Sequence, residues 1–201
     1  SITSGTGITQ VTGYSSGRTI DMGLTGDTTS TLALTNTELG TITAGTIRVG
    51  DSTSGTITVS ASITIATAKS TTLALRTAGN VTATNSSIIT ATNLGIAAGG
   101  TISLGGNNGV TGNLAIVAGG AAAGSGVSYG SAGNYTAAAV DSITPVYGVG
   151  KNISISSAPA IGSTEVRYLN QTWSAPPVVT VKDAYGYVIS ANNSRKSTYT
   201  T

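Results

Sequence analysis

The chain of 201 residues contains no Cys, no His and no Phe, and its four Pro residues all lie after position 144. Without His there is no histidine base, and without Cys there is neither a thiol nucleophile nor a disulfide. Only 8% of the residues are charged, and the net charge of +2 is scattered along the chain. A nucleic-acid-binding protein would show a basic stripe, so no binding to nucleic acid is predicted. No apolar run reaches about 18 residues, so no membrane-spanning helix is predicted.

Charge is missing altogether between Arg76 and Asp141. Thr, Ser, Gly and Asn interrupt this interval throughout, and 39% of the whole chain is apolar, which is not typical of disorder. Apolar triplets begin at Leu73, Leu94 and Leu114, at nearly equal steps along the sequence. Their period of about 20 residues is typical of a solenoid.

Short segments of alternating apolar and polar residues are bounded by Gly, Asn, Asp or Ser, which predicts β-strands and tight turns. No segment convincingly predicts a helix, so the fold class is all-β. A β-sandwich and a parallel β-helix both fit short strands, and the regular period of the triplets favours the right-handed parallel β-helix. Its successive coils would stack nine apolar side chains at inward positions, namely Leu73, Leu75, Val81, Leu94, Ile96, Ile102, Leu104, Leu114 and Ile116.

The sequence divides into three regions. Residues 1–30 form an N-terminal entry coil, and residues 31–144 form the repeat region, which makes about five coils in all. Within it, the step from Leu32 to Ile57 is longer than the period and the step from Ile57 to Leu73 is shorter, which indicates insertions or shortened corners. Residues 145–201 hold every Pro, the single Trp and five of the eight Tyr. They form a C-terminal β segment, either the start of an immunoglobulin-like repeat or a connector.

Two groups of side chains suggest a binding function. The aromatic residues of the C-terminal segment form either a platform for a glycan or the core of a small β module. Thr-x-Thr pairs, which suggest ice binding, are unequally spaced along the sequence and are not expected to align on one face. Thr also suits exposed strands in general. The aromatic residues are Tyr168, Trp173, Tyr185 and Tyr187, and the pairs are Thr41/Thr43, Thr56/Thr58, Thr82/Thr84 and Thr90/Thr92.

Catalysis and cofactor binding find little support. A glycan-cleaving enzyme needs two carboxylates brought close together, and the candidates are Asp21, Asp27 and Asp51. Asp27 and Asp51 each follow a Gly and indicate turns. The run from Gly105 to Gly109 lacks the Lys and the Ser/Thr of a phosphate loop and predicts a corner. The nonapeptide repeat of calcium β-rolls is absent. We therefore predict no catalytic residues, no metal and no cofactor.

Several segments resemble the haemagglutinin-type repeats of very large bacterial adhesins. They are Arg18–Gly23, Leu32–Leu39, Ile42–Asp51, Gly55–Ile63, Leu73–Val81 and Asn113–Ile116. The chain is thus similar to filamentous-haemagglutinin-like, two-partner-secreted or autotransporter passenger sequences across residues 15–145. The resemblance implies a right-handed parallel β-helix, export from a Gram-negative cell to its surface or beyond, and a role in adhesion or biofilm. The segment Val179–Gly186 resembles the opening strands of bacterial immunoglobulin-like adhesin repeats.

Together these patterns predict a non-enzymatic, extracellular structural or adhesive segment of a large bacterial protein. The expected partners are neighbouring repeats or other copies of the same protein, and host or matrix glycans. The family's secretion domain is not evident, which we expect of an internal segment. The alternative is a self-assembling subunit of an extracellular filament, in which the C-terminal segment connects one subunit to the next.

Overall fold

The computed structural model describes residues 1–119, 126–133 and 135–144, together with strands at 153–157, 181–182 and 188–189. No helix of these residues is long and apolar enough to cross a bilayer. In chain order, the elements are β1 (Ile2–Thr3), β2 (Ile8–Val11), β3 (Thr19–Met22), β4 (Thr31–Leu34), α1 (Asn36–Leu39), β5 (Ile42–Thr43), β6 (Thr46–Gly50), β7 (Ile57–Val59), β8 (Ile63–Thr64), β9 (Thr72–Thr77), β10 (Val81–Ala83), β11 (Ile89–Ala91), β12 (Asn93–Ala98), β13 (Ile102–Val110), β14 (Asn113–Ala118), β15 (Val127–Ser131), β16 (Thr136–Ala137), β17 (Ile153–Ser157), β18 (Val181–Lys182) and β19 (Val188–Ile189).

The strands pair in parallel, and the prediction of an all-β fold is confirmed. A six-stranded sheet has the order β16-β14-β12-β9-β6-β2, and β1 pairs with β5. An 11-stranded sheet, here called the large sheet, has the order β18-β19-β17-β15-β13-β10-β7-β3-β4, with β11 attached to β13 and β8 attached to β11. In the described residues, β18 and β19 form the one antiparallel pair of strands.

The chain visits the two sheets in turn. β6, β9, β12 and β14 lie in the six-stranded sheet, and the strands that follow them, β7, β10, β13 and β15, lie in the large sheet. Among these strands, the sequence step between register partners is shortest from Leu94 to Leu114 and longest from Thr46 to Thr72. Parallel strands require such long connections, and here the other sheet provides them.

Inward-facing apolar side chains stack in register within each sheet. The register partners are Leu73, Leu94 and Leu114, then Leu75, Ile96 and Ile116, and in the large sheet Val81 and Ile102, while Leu104 pairs with Tyr129. The nine Leu, Ile and Val residues of this set are each no more than 2% exposed. Full burial of such a side chain stabilises by about 1.5–3 kcal/mol, so these stacks supply much of the stability of a fold without Phe.

The N-terminal half differs from the sequence prediction. Ile57 pairs with Val81 in the large sheet, whereas Leu73 pairs with Ile47 in the six-stranded sheet. The interpretation of the short step from Ile57 to Leu73 as a shortened corner was therefore wrong, because these two residues belong to different sheets. Leu32 pairs with Ile20, not with Ile57, because β3 lies between β4 and β7.

One short helix interrupts the strands, contrary to the prediction of none. Helix α1 begins with a capping box, in which the hydroxyl of Thr35 accepts from the backbone N–H of Glu38 and the Glu38 carboxylate accepts from the Thr35 backbone. This Thr-x-x-Glu pattern satisfies amide groups that the first turn leaves unpaired. Leu39 is 1% exposed, and Asn36 Oδ1 accepts from the backbone N–H of Thr64 in β8. The helix thus covers an edge strand that would otherwise be open.

The glycine-rich run from Gly105 to Gly109 lies inside β13 and not in a separate corner. The first residues of β13 pair with β10 and β15, and its last two pair with β11, with a register shift between Leu104 and Asn108. Asn108 is fully buried at this shift. The strand itself therefore bends from one ladder to the next, as at a β-bulge.

Candidate binding surfaces

A column of hydroxyl side chains runs along the outer face of the large sheet. Thr58 lies beside Thr82, Thr82 beside Ser103, and Ser103 beside Ser128. The residues before these four are buried, so their own side chains face outward. Adjacent strands lie about 4.8 Å apart, so these four residues, here called the hydroxyl column, span roughly 14 Å. Asp21 continues the column beyond Thr58.

This column corrects one expectation about the Thr-x-Thr pairs. Because Ile57 is the register partner of Val81, the second Thr of the pair Thr56/Thr58 aligns with the first Thr of the pair Thr82/Thr84. Thr64 and Thr90 also align, on the neighbouring ladder. Thr56 instead meets Asn80, whose backbone N–H donates to its hydroxyl. The sheet therefore presents one aligned hydroxyl column and not a double array of Thr.

A second polar feature is a shallow groove of about 500 Å³ near the N-terminal end. Its lining includes Thr6, Thr43, Thr46, Thr67, Lys69 and Thr71. The Ser70 hydroxyl donates to the carbonyl oxygens of Gly45 and Thr72 and holds the two walls together. The described lining of the groove offers hydroxyl groups and one cation, Lys69.

The three candidate carboxylates each serve local structure. Asp51 Oδ1 accepts from the N–H and the hydroxyl of both Thr53 and Ser54, within a turn. Asp27 Oδ1 accepts from the N–H of Ala33 at 2.7 Å, and Asp21 accepts from the hydroxyl of Ser60. In the part of the chain that the structure describes, no three His, Cys, Asp or Glu side chains gather at a place that would suit a metal.

Hydrogen bonds keep the Asp51 carboxyl ionised. Burial alone would raise its pKa, but donors from Thr53, Thr12 and Ser54 lower the pKa to about 2. Because the folded pKa lies below that of the unfolded chain, the stabilisation is complete above the ordinary carboxyl range and is lost as the pH falls towards 2.

We expect Asp51→Asn to lower the free energy of unfolding by about 1 kcal/mol at pH 7, because the charge-assisted hydrogen bonds become neutral ones. Urea unfolding of both proteins between pH 7 and pH 2 measures this. The two curves should converge as Asp51 becomes protonated. A difference that stays constant down to pH 2 would contradict the assignment.

A partly buried ion cluster lies on the outer face of the six-stranded sheet. Asp141 has a side chain that is 4% exposed, and Arg48 donates to it through Nε at 2.8 Å and Nη2 at 2.6 Å. Arg76 donates through Nε at 3.3 Å and through Nη2 to the Asp141 carbonyl. Residues 140–143 form a tight turn here, closed by two backbone hydrogen bonds between Val140 and Ile143.

No family model, curated protein or solved structure matches this chain. Its function must therefore be inferred from its own surfaces. The predicted glycan platform of Tyr168, Trp173, Tyr185 and Tyr187 lies outside the described residues and stays a prediction.

Sequence reasoning missed the Arg48–Asp141–Arg76 cluster. One signal was available, because Arg76 and Asp141 are the two residues that bound the charge-free interval. A buried charge needs a partner, but distance along the chain does not identify it here, because the opposite charge nearest to Arg76 is Asp51 and the one nearest to Asp141 is Lys151.

Proposed function

We propose that this chain is a segment of an extracellular, non-enzymatic structural and adhesive protein of a Gram-negative bacterium, and that its body is a right-handed parallel β-helix. Two observations support the architecture. The chain alternates between two parallel sheets in steps of similar length, and the inward side chains stack in register. Such a stack buries a continuous core and leaves long, regular outer faces.

The hydroxyl column carries the adhesive part of the proposal. Each Thr or Ser hydroxyl is both a donor and an acceptor, and the strand spacing repeats it at intervals of about 4.8 Å. A polysaccharide presents hydroxyl groups at regular intervals and needs partners of both kinds. The outer face of the large sheet, with Thr58, Thr82, Ser103 and Ser128 aligned, therefore suits host or matrix glycans.

Replacing Thr82, in the middle of the column, tests this role. We expect Thr82→Arg to weaken binding to immobilised polysaccharides at least about tenfold, because a long side chain interrupts the flat row at a cost of about 1.4 kcal/mol or more. Thr90→Arg is the matched control, since Thr90 is also a half-buried Thr that follows a buried strand residue but lies on another ladder. Surface plasmon resonance against a polysaccharide panel is the measurement.

Two outcomes would contradict the glycan-binding role. One is that the wild-type chain binds no glycan of the panel. The other is an equal loss of affinity in Thr82→Arg and Thr90→Arg, which would point to a general effect of added charge.

A specific observation favours the filament alternative as well. The exposed large apolar side chains of the described residues all lie near the N-terminus and are Ile2, Ile8, Tyr14 and Leu24. Ile8 is 51% exposed in β2, the edge strand of the six-stranded sheet. An open edge strand with apolar side chains favours pairing with another chain.

Electron microscopy over a concentration series distinguishes the two roles. Filaments with a regular repeat, lost on Ile8→Lys, would favour end-to-end assembly, in which residues 145–201 act as a connector. Isolated rods at every concentration would favour an adhesin segment, and compact globules would contradict the β-helix itself.

A further inference from the structure

A row of four residues crosses the outer face of the six-stranded sheet. Its first member is Arg48, and the other three are small. Arg48 lies beside Ala74, Ala74 beside Gly95, and Gly95 beside Ala115. These positions point away from the main core, yet Ala74 and Ala115 have no exposed surface. Something on the outer face must cover them.

The turn of residues 140–143 covers the row at Gly95 and Ala115. Val140 and Ile143 are 4% and 3% exposed and form a second apolar cluster with Ala115. The fit is close at Gly95, where an added Cβ would lie 3.0 Å from Ile143 Cδ1 and 3.2 Å from Val140 Cγ1. The absence of a side chain at Gly95 therefore makes room for the turn.

Two guanidinium groups fix the turn from the side. Arg48 on β6 holds the Asp141 carboxylate in a fork of two hydrogen bonds, and Arg76 on β9 adds a third. Two parallel bonds from one guanidinium are the preferred way in which Arg recognises a carboxylate. The residues of β12 and β14 that pack with the turn are neutral, namely Gly95, Ala97, Ala115 and Val117. Strand β2 contributes the neutral amide of Gln10, which accepts from Arg48.

The backbone of the turn is strained when it is docked. Asp141 and Ser142 have φ angles of +49° and +61°, in the left-handed region that non-glycine residues seldom occupy. Such a conformation persists only where surrounding contacts hold it. When the contacts of Asp141 are lost, we expect the whole turn to detach from the sheet.

We propose that Arg48 and Arg76 form a carboxylate-binding site whose resident occupant is the 140–143 turn, and that protonation of Asp141 releases the turn while both sheets stay folded. The proposal does not depend on the adhesive role. It adds to the molecule a surface that is closed at neutral pH and presents two free guanidinium groups in acid.

The sign of the effect follows from the ion cluster. Burial by itself raises the pKa of Asp141, but the hydrogen bonds and charge of Arg48, and then those of Arg76, lower the pKa below its ordinary value. The docked turn therefore keeps its full stability above the ordinary carboxyl range and loses it as the pH falls through the lowered value. The inner stacks, such as that of Leu73, Leu94 and Leu114, consist of apolar side chains whose charge does not change with pH. We therefore expect both sheets to stay folded.

Amide hydrogen exchange followed by NMR tests the release. The N–H groups of Val140 and Ile143 donate across the turn at 3.0 and 2.8 Å and report on its closure. After correction for the intrinsic rate, we expect their protection to fall several-fold between pH 7 and pH 3, by at most about sevenfold, and to fall further towards pH 2, because one proton on a carboxyl of ordinary pKa about 3.8 can shift the docking equilibrium by no more than this at pH 3. The amides of Leu94 and Ile96 in β12 should keep their protection.

Variants extend the test at constant pH. Asp141→Asn should reproduce the acid state at pH 7, whereas Asp27→Asn, at a carboxylate that is 58% exposed, should leave the turn protected. In Asp141→Asn, added acetate should shift the Nε resonances of Arg48 and Arg76, with no such shift in the wild-type protein. The wild-type pH series stands by itself if Asp141→Asn does not fold.

Three results would overturn the proposal. Unchanged protection of Val140 and Ile143 at pH 3 would show that the carboxylate does not hold the turn. Simultaneous loss of protection at Leu94 and Ile96 would show that the turn opens only with global unfolding. Absence of an acetate response in Asp141→Asn would show that the two arginines are not a carboxylate-binding site.

Discussion

Replacing Asn108 by Ala is expected to lower the free energy of unfolding by about 4 kcal/mol, because several buried polar groups lose their partner at once. Asn108 Nδ2 donates to the carbonyl oxygens of Leu104, Gly106 and Gly130, and its Oδ1 accepts from the N–H of Ile89 at 2.8 Å. One side chain thus joins the bend in β13 to the strands on either side of it. Urea denaturation at pH 7 measures the loss.

The neighbouring Asn supplies the matched control. Asn107 is exposed in the same strand, and Asn107→Ala is expected to change the stability by no more than about 0.5 kcal/mol.

Asn108→Asp gives a sharper test, because it keeps the size and the acceptor but places a carboxylate against three carbonyl oxygens. Its stability should rise as the pH falls and the carboxyl regains a donor. Equal effects at positions 107 and 108 would contradict this account of the bend.

Replacing Gly50 by Ala is the second change with a large expected effect. Gly50 ends β6 with φ at +75°, and an added Cβ would lie 2.3 Å from the carbonyl oxygen of Arg76. Because that oxygen belongs to the backbone of the adjacent strand, the clash cannot be relieved by a side-chain rotation. We expect a loss of more than about 3 kcal/mol in the free energy of unfolding, measured by thermal or urea denaturation.

Gly17 separates the two causes of this loss. Its φ of +77° is nearly the same, but an added Cβ would meet nothing within 4 Å. Gly17→Ala should therefore cost only the left-handed conformation, about 1–2 kcal/mol. An equal loss of stability in Gly50→Ala and Gly17→Ala would show that the close approach of β6 and β9 contributes nothing to the loss at Gly50.

The register of the central strands can be read from the sequence, whereas that of the N-terminal half cannot. From Leu73 through Leu94 to Leu114 each pass through both sheets has nearly the same length, so a simple period finds the partners. From Ile20 to its partner Ile57 the step is almost twice as long, because β4 and α1 are inserted. The period of the apolar segments along the sequence also does not show which sheet each segment joins. Ile57 and Leu73 were for this reason treated as neighbours in one sheet, although they belong to different sheets.

The polar contacts were harder to predict than the apolar core. Asn108 stands in a Gly- and Asn-rich run that has the composition of a turn, and only its buried hydrogen bonds reveal its role. The partners in the ion cluster, Arg48 and Asp141, are 93 residues apart. Hydrophobic periodicity carries no information about such a contact, since it concerns the inward face of the sheets and the cluster lies on the outward face.

The position of the 140–143 turn has a consequence for the order of folding. Its landing place exists only after Arg48, Ala74, Gly95 and Ala115, from four successive strands, have come into line. A contact of such long sequence separation costs the most loop entropy and is expected to form late. A skipped strand would displace the row by one strand spacing, about 4.8 Å, and would keep Asp141 from reaching Arg48. A strand that slipped by one residue would turn its member of the row to the other face of the sheet. Closure of the turn therefore acts as a check that the preceding strands have been assembled in the correct number and register.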